Sequence, residues 1–149
     1  MIKKILIYLS LLLVLIQFIP YENKVPVTYT KDDFFKYHIA NKPVVDLIKN
    51  ACYDCHSYQS QYPWYGKVAP MAWSIHQHVA EGRARINFDD WMALNPDQQK
   101  HAISQSINTL KNLSMPMPSY MAYHPKANIN KQQRELLIAF FQSIQTEKK

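Results

Sequence analysis

Glycine is nearly missing from this 149-residue chain, where two glycines stand against nine prolines. That balance disfavours a glycine-rich loop cradling a phosphate and predicts stiff connections between elements. Cysteine is as scarce. Cys52 and Cys55 are the only thiols, so no third competes to pair with either, and none lies near the N-terminus to accept a lipid. No dense cluster of lysine and arginine occurs outside the termini, which disfavours nucleic acid as a partner despite a net charge of +6. No useful length of sequence alternates apolar with polar residues, and no segment repeats. What remains is one all-α domain, because a chain of this length holds one compact core and little else.

The two thiols fall in Cys52-Tyr53-Asp54-Cys55-His56, a C-x-x-C-H haem-attachment signature. Each thiol can add to one vinyl group of the porphyrin, and the adjoining histidine then offers its imidazole to the iron. A C-x-x-C redox pair would sit at a helix start within a strand–helix–strand unit, which the pattern lacks. Zinc would require four nitrogen or sulfur ligands, two of them from the six histidines. Ten tyrosines, six phenylalanines and three tryptophans suit a small domain wrapped around a large flat apolar cofactor.

Residues 1–20 read as an export element. Lys3 and Lys4 precede an apolar run from Ile5 to Ile19, broken only by Ser10 and Gln17. The run is at the upper edge of a signal-peptide core and slightly short of the about 17–25 residues of a spanning helix. No small-x-small cleavage pattern follows it, which favours an uncleaved signal anchor over a removed signal peptide. The lysines would stay in the cytoplasm with the remainder outside. Residues 21–30 read as a tether, and residues 31–149 as the haem-binding domain.

Within that domain Thr30 to Asn41 predicts a short helix, with Thr30 as cap and Asp33 three residues later. Pro43 opens the next helix, whose apolar face (Val44, Val45, Leu47, Ile48, Ala51) runs into the cysteines. Ala69-Pro70 opens a helix to about Glu81 carrying Met71, Ile75 and Val79. Asn87 with Asp90 caps a short segment through Trp91 and Leu94. Asn95-Pro96 starts a helix to about Lys111 with Ile103, Ile107 and Leu110 on one face. Met115-Pro116-Met117-Pro118 then predicts an extended loop through Tyr120. Asn130 and Gln133 form a capping box for a closing helix bearing Leu136, Leu137, Phe140, Phe141 and Ile144. The expectation is a bundle of about four to five helices around one haem, preceded by the N-terminal membrane helix.

An early C-x-x-C-H, a late Met-Pro loop and a terminal helix just after it resemble the class I cytochromes c. Cys-Tyr-Asp-Cys-His-Ser (52–57), Tyr-Pro-Trp-Tyr-Gly-Lys-Val-Ala-Pro (62–70), the stretches 76–83 and 87–91, and Met-Pro-Met-Pro-Ser-Tyr (115–120) resemble something narrower. They are similar to the small bacterial "haem-binding domain" family, over about residues 43 to 145. The cytochrome resemblance implies a late methionine as second axial ligand, and first and last helices that cross. One departure is the absent Gly-Pro-x-Leu stretch, whose proline carbonyl normally receives the N–H of the proximal histidine. Here Pro63, Pro70 or another group must supply that carbonyl.

The candidate cofactor-binding residues are therefore Cys52, Cys55, His56, Met115, Trp64, Tyr65 and Arg83, with His56 and Met115 on the iron. Met117, Met121, His76 and His78 are alternatives to Met115, against a plainer reading of the methionines as packing in an apolar pocket. On a helical wheel His76 and His78 flank the stripe of Ile75 and Val79 on opposite sides. His38, His101 and His124 lack motif context and read as surface or turn residues. Trp64, Tyr65, Trp73 and Trp91 are candidates for the haem edge, with Arg83 or Arg85 beside the propionates; ordinary packing is the alternative for each. The function expected is one-electron transfer by a single covalent haem c on the periplasmic side of a bacterial inner membrane, or free in the periplasm if the signal is cut. The basic chain, with pI near 9.3, favours an acidic redox partner and a membrane surface. A haem-based sensor that binds a small ligand is the alternative, and a peroxidase-type enzyme a more distant one.

Overall fold

Three asparagines, Asn41, Asn95 and Asn130, each begin a helix, because a short side-chain amide accepts N–H bonds that the first helical turn leaves open. The computed structural model describes residues 1–21, 25–26 and 28–146. Its helices are α1 (Ile2–Leu15), α2 (Asp33–Tyr37), α3 (Lys42–Ala51), α4 (Tyr53–His56), α5 (Met71–Arg85), α6 (Pro96–Lys111), α7 (Pro118–Tyr123) and α8 (Lys131–Thr146). Short 3-10 turns lie at Ile16–Phe18, Trp64–Lys67, Trp91–Ala93 and Pro125–Ala127, and no strand forms among the described residues. The Asn41 carboxamide accepts from Val44 N–H at 3.1 Å. Asn95 with Gln98, and Asn130 with Gln133, make reciprocal capping boxes at 2.8–3.0 Å. Each such cap contributes about 1 kcal/mol to its helix.

The fold is all-α, as its patterning predicts. The helices outnumber the four to five expected because short turns are helical too; after α1, the long ones are α3, α5, α6 and α8. α6 lies along α8, α3 packs on α8, and α4 is pressed against α5. Val44 and Ile48 of α3, Ile103, Ile107 and Leu110 of α6, and Leu137 and Phe141 of α8 meet in one core. Phe34 of α2 closes it, with Phe88 and Trp91 edge-on at 5.1 and 5.0 Å. Truncating a buried aromatic of this kind typically costs about 3–5 kcal/mol.

Several elements differ from the sequence reading for physical reasons. α2 starts at Asp33, not Thr30, and the Asp33 carboxylate instead accepts from Met92 N–H at 2.8 Å. α5 runs one turn past Glu81, and its buried face is Ala72, His76, Val79 and Gly82, leaving Met71 exposed. Its small residues let it approach α4 more closely than a branched stripe would. α7 occupies part of the stretch read as extended, since Pro118 sits in the first helical turn, where its missing N–H is no loss. His38 is no surface residue: it is buried against Phe34 and Trp91, with ring centroids 4.8 and 5.5 Å away.

No helix among the described residues is long and apolar enough to cross a membrane. α1 has 14 residues, or about 21 Å, against a hydrocarbon core of about 30 Å. Its end is attached to the domain: the Gln17 carboxamide pairs with both the N–H and the carbonyl of Ala69, at 2.9 and 3.2 Å. Trp73 donates to the Ile19 carbonyl at 3.3 Å, and Tyr21 stacks on His76 at 4.1 Å. Of the expected tether, Glu22, Asn23, Lys24 and Val27 lie outside the described residues.

Candidate functional site

Cys52 closes α3 by donating its N–H to Ile48 O and opens α4, where both Cys55 and His56 donate to Cys52 O at 3.2 and 2.9 Å. The motif is thus one helical turn. Positions i, i+3 and i+4 share a face, so Cys52, Cys55 and His56 line one cavity together. Burial, then the neighbouring Cys55 charge, pushes the Cys52 thiol up to about 12. Burial and Asp54 push Cys55 to about 11 against the opposing pull of Arg83. Both are neutral thiols at physiological pH.

The extra turn of α5 supplies what holds His56. Its Nδ1 lies 2.9 Å from Gly82 O and 3.1 Å from Ile86 O. Facing two carbonyls, Nδ1 must carry the hydrogen, which leaves Nε2 with its lone pair. Burial lowers the imidazole's pKa, and nearby Arg85 adds to this, against the two carbonyl bonds that raise it. Neutral imidazole with a free lone pair is the form that binds metal, and an N–H to a backbone carbonyl is the usual support for a ligating histidine. Gly82 makes the approach possible: a Cβ there would stand 2.6 Å from Cys55 O. Neither Pro63 nor Pro70 fills the role left by the missing Gly-Pro-x-Leu stretch; α5 does.

The cavity measures about 990 Å³, at the top of the range for cofactor sites. Its walls include Ala51, Ile86, Phe88, Leu110, Leu137 and Phe141, and its edge carries Glu81, Arg85, Asp97 and His101. Met115, Pro116 and Met117 also line the cavity. Met115 N–H donates to Thr109 O at 3.2 Å, and its carbonyl receives Arg134 Nη1 at 2.6 Å. A family model described as a haem-binding domain matches residues 11–143.

The chain belongs to the haem-binding domain family. Searches of curated proteins and of solved structures gave no match. The residues fit the group the family name implies: two thiols and an imidazole lone pair on one face, a thioether on the same cavity, and apolar walls between. Among the described residues no three His, Cys, Asp or Glu side chains gather as ligands for a bare metal ion.

The other candidates of this haem-binding domain fall in different places. Met117 lines the main cavity and also a neighbouring one of about 310 Å³, whereas Met121 lines neither. Tyr65 lines only the smaller cavity, and Trp64, 78% exposed, lines neither. Arg83 is spent on the segment after the motif, donating to Ser57 O at 2.8 Å and Ser60 Oγ at 3.0 Å over the Tyr58 ring. Arg85 is the arginine on the main cavity. Trp73 bonds Ile19, and Trp91 is core. His76 is buried between Tyr21 and Tyr62, outside both linings. His78 lines both cavities, His101 the larger and His124 the smaller, where motif context gave no reason to look.

Four contributors escaped the sequence reading: Gly82, Ile86, Arg134 and Asp54. One of only two glycines, placed inside a helix where it costs about 1 kcal/mol, was a signal of close backbone approach. Asp54, a variable position of the motif, accepts from Tyr120 OH at 2.5 Å and so joins α4 to α7. Burial, together with the bond and charge of Asp54, raises the Tyr120 phenol well above its ordinary value.

Proposed function

We propose that this haem-binding domain holds one haem covalently through Cys52 and Cys55, with His56 and Met115 as axial ligands, and that it passes single electrons on the periplasmic side of a bacterial membrane. The observation that carries the reading is the pair of carbonyls on His56 Nδ1, which leaves Nε2 its lone pair on a residue lining the same cavity as Met115. When bound, the haem would supply an iron that alternates between Fe(II) and Fe(III).

The protein's part is to hold and to exclude. Gly82 and Ile86 fix the ring plane of His56 and make its nitrogen a stronger donor without moving a proton. The apolar walls keep water from the cavity. A thioether opposite an imidazole favours the reduced metal, so a comparatively high potential is expected. The net charge of +6 suits an acidic protein partner, while the cavity edge itself mixes Arg85 and His101 with Glu81 and Asp97. The two lysines ahead of the apolar run, and an α1 with no buried residue, support attachment of the N-terminal segment to a bilayer.

Absorption spectra of holoprotein made with haem-maturation factors test the ligands. The wild type should show the long-wavelength Met–Fe(III) band, and Met115→Ala should lose it while haem stays attached through denaturation. An unchanged Met115→Ala spectrum would remove Met115 as ligand. Haem released on denaturation would remove covalent attachment.

A further inference from the structure

We infer that Arg134 is a positioning residue for Met115, and that its grip decides whether the sixth position on the iron is closed by the thioether or open to a small molecule. The inference rests on the reading of Met115 as the distal ligand, and it names the residue that regulates that ligand.

Arg134 lies in the first turn of α8, its own N–H bonded to Asn130 O at 3.0 Å. From there its guanidinium crosses to the end of α6. Nη1 donates to Leu110 O at 3.1 Å and to Met115 O at 2.6 Å. The first contact places a fixed cation against the negative end of the α6 dipole. The second binds the carbonyl of Met115, which lines the cavity. On its other side Met115 is tied to α6 by its N–H on Thr109 O. The residue is therefore gripped at both ends of its backbone, by two helices that pack along each other.

Between α6 and Met115 the chain turns through Leu113 at φ 63°, a left-handed conformation in which a leucine is strained. Ser114 N–H returns to Thr109 O at 3.1 Å and Leu113 N–H to Leu110 O at 3.4 Å. Leu110 O thus accepts from the turn and from Arg134 together. The guanidinium spans the two carbonyls of a strained turn, and a charge-assisted bond of this kind is stronger than a neutral one. Both bonds leave one nitrogen held in the guanidinium plane; a lysine would bring its ammonium on a shorter, more flexible stem and hold this geometry less well.

A residue that merely capped α6 would affect stability and leave the iron's ligands alone. The test compares wild-type, Arg134→Lys and Arg134→Met holoprotein, reading the Met–Fe(III) band, the rate of carbon monoxide binding to the reduced form, and hydrogen exchange at the Met115 amide. In Arg134→Met the band should weaken or vanish and carbon monoxide should bind about tenfold faster or more, the scale set by losing a bond from a charged donor. Arg134→Lys should fall between that variant and the wild type, with faster exchange at Met115 than in the wild type. If Arg134→Met does not fold, Arg134→Lys carries the same comparison. A wild-type band, gas rate and amide exchange in a folded, haem-attached variant would overturn the inference and leave Met115 as ligand. Absence of the band in the wild type would overturn both.

Discussion

The turn that carries His56 and the loop that carries Met115 face the same cavity, but backbone fixes the first and a side chain fixes much of the second. At the turn, Cys55 O lies so close to Gly82 that no Cβ fits between them, and the His56 ring is seated on two carbonyls, one in α5 and one at the residue just after it. His56 O in turn receives Phe88 N–H at 2.8 Å. At the loop, one arginine and a left-handed leucine add to the bonds that Ser114 and Met115 N–H make to Thr109 O. Backbone contacts of the first kind shift only if a whole helix moves. A side-chain clasp opens by one rotamer change, so the Met115 loop has an easier route to rearrangement than the His56 turn.

That contrast is broken most directly at Gly82. A methyl group there forces α5 from α4, and Gly82→Ala is expected to destabilise the holoprotein by about 3 kcal/mol, measured by urea unfolding. A loss under about 1 kcal/mol would mean that the proximal side yields as easily as the distal one. The next effect concerns what stands behind the turn. Burial raises the pKa of Asp32, but hydrogen bonds from Lys49, Tyr53 and Gln59, with the Lys49 charge, hold its carboxyl below its ordinary value of 3.8. With a depressed folded pKa, its contribution is complete above 3.8 and lost as pH falls through the folded value. Stability measured against pH should therefore decline on acidification in that window, and Asp32→Asn should flatten the decline; an unaltered acid limb would show that the network does not brace Tyr53. The smallest effect belongs to the loop. Leu113 is exposed at φ 63°, so Leu113→Gly should relieve strain and raise thermal stability by about 0.5–1 kcal/mol. A fall in melting temperature would show that the leucine side chain, and not only the turn, holds the distal loop.

The proximal side was also the more legible in sequence, though only in part. Cys52, Cys55 and His56 stand out because their spacing matches the C-x-x-C-H signature, and Asn95 and Asn130 because a capping box needs its partner three residues on. The carbonyls of Gly82 and Ile86 left no such trace, since any residue provides one. Pro118 read as a break because proline ends helices from inside and starts them from the first turn, and the pattern alone did not say which. His38 lacks motif context and so reads as surface, and the five-residue helix before it is too short for an apolar period to mark an inner face. Arg134 reached Met115 only through the pairing of α6 with α8, a contact between segments 19 residues apart that no local pattern encodes.

The bond from Tyr120 to Asp54 gives the crevice a topology as well as a shape. It joins residues 66 positions apart, so the chain from the attachment turn through α5, α6 and the methionine loop forms a ring clasped by one phenol. Arg134 reaches into that ring from outside it, on α8. The two jaws cannot part without breaking the clasp, whereas the methionine loop can shift within the ring while it stays shut. Asp54 thereby gives a variable position of the C-x-x-C-H motif a mechanical duty: it ties α4 to α7 across the chain between them.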